Sequence, residues 1–321
     1  MTRPIPLLSL WLAAVAVLAC TGTAASQTFE AALVAGPERT VHLGLDGVRQ
    51  GPDTVSASAV LGRAPGLDLS VRRSSSLPPF GTLVFELDGG VRAGPGGFAT
   101  RARAGGRGTL GPVAARASLE AWTAPPDRFD PLADPGLGRA GEGVALAVGS
   151  DVRLDGTWIV SLDARMERDV ARAATSIDAS ATLRARRLLS RTVDGILVVQ
   201  GRAADRADGR AGVGAGVLVT PRRAPEIQIT AWWDAAPGEG DGLRGALGVE
   251  TRGAVRVDAA RLSWRLRVRP LAPQRHPIDA NASLVVPWRD GEIQLGASAH
   301  RDTHRDVGAA IRLGYARALN P

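Results

Sequence analysis

Few side chains in this sequence could do chemistry, and their spacing limits them further. There are four histidines, His42, His276, His300 and His304, and a single cysteine, Cys20. The segment "HRDTH" at 300–304 sets two imidazoles four residues apart with an acid between them. On a helix that spacing would turn both rings to one face, as a metal site requires. Here the segment lies between two stretches of alternating apolar residues, which makes it a loop without fixed geometry, so no metal site is expected. A hydrolase needs a nucleophile beside a base and an orienting group. Serines, acids and histidines are present, but no spacing gathers them. The glycine strings "GRAGEG" and "GPGG" lack the lysine that follows a phosphate-binding loop. No catalytic residue and no cofactor site is expected, and the chain does not read as an enzyme.

Arginine is the other reactive population. The chain has 39 basic residues against 32 acids, a net charge of +7, and every basic residue is arginine. They are interleaved with acids rather than blocked together, so nucleic-acid binding is not expected. Several recur at every second position: Arg101 and Arg103, Arg184 and Arg186, and the row Arg261, Arg265, Arg267 and Arg269, with Arg116 nearby in pattern. A period of two turns such side chains to one face of a strand.

Residues 1–26 have the form of an export signal. Arg3 starts them, and the apolar run Leu7 to Ala19 is too short to span a bilayer as a helix. Cleavage fits near Ala25 or Ser26. Alternatively, Cys20 after "VLA" is a candidate lipidation site, although Leu18 stands where a smaller residue is usual. No disulfide can form. Residues 27–321 then read as one domain.

Strands must position whatever this domain does. Alternation recurs from Val41, Leu43 and Leu45 through to Val307, Ala309, Ile311, Leu313 and Tyr315. The long run Ala173 to Ala185 is apolar at every odd position but Thr175, with Ser, Asp, Thr and Arg between from Ser176 on. Val193 to Ala203 is apolar on both faces for several residues and is the weakest strand. Tight turns are expected at Asp155-Gly156, where a type I′ turn needs positive φ, and at Arg252-Gly253 and Asp290-Gly291. Longer loops are expected at Thr123 to Gly141, Asp234 to Gly242 and Arg269 to Pro277. The whole makes roughly 16–18 strands of the length a membrane barrel uses.

A soluble sandwich of this length would draw its core bulk from large side chains, yet aromatics are 4% of the chain. The apolar faces are mostly Ala, Val and Leu, and the opposite faces are small, polar or charged. Trp122, Trp158, Trp233 and Trp288 lie near strand ends, where interfacial girdles sit. If the tight turns follow even-numbered strands and the long loops odd-numbered ones, the turns share one end of a barrel. In this pattern the chain resembles bacterial outer-membrane β-barrel proteins as a class, over about residues 28–319, without a family motif. One departure is the ending Tyr315 to Pro321, where such proteins usually close on an aromatic residue.

The resemblance implies an all-β, antiparallel up-and-down transmembrane barrel, exported to the outer membrane and contacting its lipid. Two functions stay open. One is a passive pore for small polar solutes, mildly anion-preferring because Arg101, Arg103, Arg116, Arg184, Arg186, Arg261, Arg265, Arg267 and Arg269 would line the lumen. The other is a non-catalytic exported structural protein, periplasmic or surface-anchored as a lipoprotein through Cys20, with its apolar faces on a soluble core. The oligomeric state is not written in the sequence.

Overall fold

The computed structural model describes residues 28–35, 39–62, 64–78, 81–94, 97–123, 142–170, 173–205, 207–220, 226–238, 242–271, 277–301 and 307–318. The export signal, Cys20, His276, His304 and the loop 124–141 lie outside the described residues.

Eighteen strands follow one another without an intervening helix among the described residues. They are β1 (Thr28–Ala35), β2 (Thr40–Gln50), β3 (Asp53–Gly62), β4 (Gly66–Ser76), β5 (Thr82–Gly94), β6 (Gly97–Leu110), β7 (Val113–Trp122), β8 (Gly143–Leu154) and β9 (Trp158–Asp169). The second half comprises β10 (Ala174–Ser190), β11 (Val193–Ala204), β12 (Ala207–Val219), β13 (Glu226–Pro237), β14 (Leu243–Val257), β15 (Ala260–Val268), β16 (Ile278–Trp288), β17 (Gly291–Arg301) and β18 (Val307–Ala318). Each pairs antiparallel with the next, and β1 pairs with both β2 and β18. The closing seam runs in register from Thr28 opposite Ala318 to Ala35 opposite Ile311. Closure leaves no strand edge unpaired, which removes the usual route to edge-to-edge association.

Cross-strand register separates the two faces. The apolar residues of each strand meet those of its neighbours: Leu119 opposes Leu146, which opposes Met166, which opposes Ile177. This face is exposed, with Leu146 at 43%, Leu162 at 49% and Ile177 at 48%. Two packed sheets would have hidden these side chains in a dry core, so the soluble-sheet alternative is corrected: the chain is one closed sheet with its apolar face outward. Charged residues on the outward face keep to strand ends among the described residues. Asp53 and Arg73 pair at one end, and Arg317 meets Asp290 there; Arg168 and Arg301 lie at the other. An arginine at mid-bilayer would cost roughly 2–4 kcal/mol, which explains the confinement. Most outward aromatics keep to the same two zones, Phe29, Phe85, Trp158, Trp288 and Tyr315 at one end and Phe98 and Trp233 at the other, while Trp264 stands mid-strand against Gly253.

Turn chemistry follows the sequence in part. Asp155 and Gly156 both have positive φ, 49° and 73°, as a type I′ turn requires. Arg252-Gly253 is not a turn. Both residues are paired within β14, opposite Arg265 and Trp264, and the chain turns at Asp258, φ 53°, before β15. Gly253 is small for another reason: a Cβ there would run into the Trp264 ring. Arg289 and Asp290 make the next turn, with Gly291 already in β17. Asp234 to Pro237 belong to β13, so the connection to β14 is shorter than expected. The connections after β2, β6, β8, β10, β14 and β16 are tight, and the longest follow β7 and β15, on the opposite end.

Candidate functional site: the inner wall

The inward face is where the polar positions of every strand converge. Arg101, Arg103, Arg116, Arg184, Arg261, Arg265 and Arg267 all fall on it by register, each out of phase with the outward apolar residues. Arg269 follows directly on β15. Arg186 is different. A register shift interrupts β10 between Ala185 and Ser190, and Arg186 donates to the carbonyl of Gly156 at the adjacent turn.

Most of these guanidinium groups are tied to carboxylates on neighbouring strands. Arg92 makes a bidentate contact with Asp68 at 2.6 and 3.0 Å. Arg116 reaches Asp151 at 2.9 Å and also binds Asp163. Arg184 donates to Asp194 at 2.7 Å, and Arg265 to Glu250 at 3.1 Å. Arg267 lies 3.4 Å from Asp279, both buried. Arg165 stands between Glu120 and Glu167 at 3.4 and 3.6 Å. Opposite charges facing across a ladder stabilise it, and like charges do the reverse.

One group is more elaborate, and the alternation pattern did not single it out. Arg269 runs along the wall from the end of β15 and passes over Gly248 of β14, where a Cβ would come within 2.7 Å of its Cγ. It binds Asp234 of β13 through Nε at 3.0 Å and Nη2 at 2.5 Å, and its Nη1 donates to Gln200 of β11 at 2.9 Å. Its guanidinium lies 3.5 Å from the centroid of the Trp232 ring. That ring lies against Gly214 of β12, where a Cβ would stand 2.7 Å from it. Glycines on the polar phase of β12 therefore form a trench. Trp232 also packs with Ile196, Val198 and Leu218, an apolar patch on the inner wall. This explains why β11 is apolar on both faces.

Trp122 also corrects the girdle expected from sequence. It is one residue out of phase with Leu119 and Ala121, so it turns inward and is buried against Gly143.

The remaining arginines are less neutralised. Register sets Arg252 opposite Arg265 and Arg256 opposite Arg261 on β14 and β15. Arg256 and Arg261 are both exposed, and neither has an acidic partner among the described residues. The two described histidines, His42 and His300, do not meet. His42 is 3.1 Å from Thr40 on β2, while the His300 ring lies over Gly308, with β18 and β1 between the two strands. No group of His, Cys, Asp and Glu capable of holding a metal occurs among the described residues.

By sequence the chain matches no protein-family model and no curated protein. By structure it is similar to OccK3 (OpdO) of Pseudomonas aeruginosa, with a TM-score of 0.52 and 13% identity over 91% of this chain and 94% of that one. A second structure of OpdO from the same organism gives 0.52 and 12%, covering 91% and 95%. A bacterial polysaccharide outer membrane secretin gives 0.51 and 8%, covering 92% and 99%. At such identities the likeness is one of fold. The chain is thus a closed, 18-stranded antiparallel barrel of the kind found in bacterial outer-membrane proteins.

Proposed function

We propose that this protein is a passive outer-membrane pore for small polar solutes, with a mild preference for anions. The observation that carries the proposal is the division of faces. An apolar exterior bounded by aromatic and charged rims suits lipid, while a polar interior suits water and solutes. Barrels of this strand number enclose an aqueous channel unless a segment fills it. The likeness in fold to solved outer-membrane proteins supports the location.

The sign of the preference rests on pairing. Where Arg92, Arg116, Arg184 and Arg269 are matched by carboxylates, their charges cancel. One unmatched arginine pair lies at the mouth bounded by the tight turns, where Arg256 faces Arg261. Salt screens such a field within about 8–10 Å, so the preference is small. Planar-bilayer recording across a tenfold KCl gradient tests it. The expected reversal potential has the anion-selective sign and is well below the ~59 mV of ideal selectivity. A cation-selective sign removes the anion preference, and absence of conductance from folded protein removes the pore.

A further inference from the structure

Next to the arginine-rich strands, the inner wall changes character. Gly296 of β17 stands between Ser283 of β16 and Arg312 of β18 in the ladder, and its inward neighbours along β17 are Gln294 and Ser298. Asn281 opposes Ser298. These six residues line a depression of about 230 Å³. The missing side chain at Gly296 makes its floor.

The chemistry of the rim is uncharged. Asn281 and Gln294 each present two amide donors and a carbonyl acceptor, and Ser283 and Ser298 each present a hydroxyl that does both. None of the four makes a side-chain hydrogen bond among the described residues. The charged groups at the margin are paired, Arg312 with Glu30, Arg265 with Glu250, and Asp279 with Arg267, and Arg312 keeps one buried N–H, at Nε, without a hydrogen-bond partner. Each charge here already faces an opposite one, so the net charge of an ionic ligand would go unbalanced, while the spare Arg312 N–H suits a neutral acceptor as well. An apolar ligand would strip water from four polar groups without replacing their hydrogen bonds. A molecule carrying both donors and acceptors at close spacing satisfies them.

We infer that this depression is a weak binding site for one ring of a neutral polyhydroxylated solute, a sugar. Its volume is below the 300–1,000 Å³ of sites that enclose whole drug-sized ligands, which suits a single ring held against an open wall. Weakness fits its place, because a site along a conducting path must release what it binds. Its role in passage rests on the pore reading; the binding itself does not.

The test uses the full-length mature protein, refolded and checked by heat-modifiable gel migration, with maltotriose as probe. In planar bilayers maltotriose should reduce the current in a saturable way. Gln294→Ala should raise the half-blocking concentration about three- to tenfold, as expected for loss of one to two neutral hydrogen bonds, and Gly296→Leu should abolish the block by filling the floor. If Gly296→Leu does not fold, Ser298→Ala serves, with a smaller shift in the same direction. Current without saturable block, or block unchanged in these variants, overturns the site and leaves the pore intact. If folded protein carries no current, the pore reading fails by itself, and calorimetric titration with maltotriose in detergent decides the site. Heat that is lost with Gln294→Ala supports it, and no heat overturns it.

Discussion

Asp234 and Arg269 are both essentially withdrawn from solvent. Desolvating two charges is expensive, and only good geometry and further hydrogen bonds offset it. Here the carboxylate is held bidentately, Gln200 takes another donor, and Trp232 covers the guanidinium face. Asp234→Ala should therefore destabilise the barrel by about 3–5 kcal/mol, because it strands a buried cation. The double variant Asp234→Ala with Arg269→Met should recover part of that loss. Urea unfolding in lipid vesicles measures both, and a double variant no better than the single would deny that a stranded charge is the cause. Little of this group was legible in the sequence. Asp234 looked like the start of a loop because Ala, Pro and Gly follow it, and Gly212 and Gly214 looked like ordinary small residues of a polar face. Glycine is placed by two different demands, positive φ and close approach. At Asp155-Gly156 the neighbouring residue betrays the first; at Gly253 the second depends on Trp264, a residue on another strand.

Strands themselves were far more visible, because a period of two is local. Alternation located most of the elements, though not β1 or β4 and with a turn misplaced inside β14, and it put Arg261, Arg265 and Arg267 on one face of β15. It failed where two apolar faces coincide, in β11, and where a strand shifts phase, as in β10 beyond Ala185. Register is not local, since it depends on which residues two strands choose to oppose. The pairing of β14 with β15 sets Arg256 against Arg261 with no carboxylate between them. Arg256→Glu converts a repulsive cross-strand pair into an attractive one. Folding stability should hold or rise by about 0.2–1 kcal/mol. The reversal potential across a KCl gradient should move toward zero or to the cation-selective side. An unchanged reversal potential would show that this mouth does not set selectivity.

At the scale of the molecule, the sequence pointed to a closed barrel but only bracketed the strand number, because closure is a property of shear and of the β1–β18 seam rather than of any segment. The outward face adds a dimension. On β9, Trp158 stands at one rim and Arg168 at the other. They are about ten residue steps apart, or about 33 Å along a strand. A tilt of about 40° reduces that to about 25 Å along the barrel axis. A typical bilayer interior is about 30 Å thick. The two rims thus make the barrel a gauge of membrane thickness: lipids with short tails meet both rims at once, while long tails press hydrocarbon against Arg168 or Arg301. Spontaneous folding from urea should be most complete in vesicles of dilauroyl phosphatidylcholine and fall steadily as the acyl chains lengthen to dierucoyl. Equal yields in both would mean that the rims do not mark the limits of the lipid.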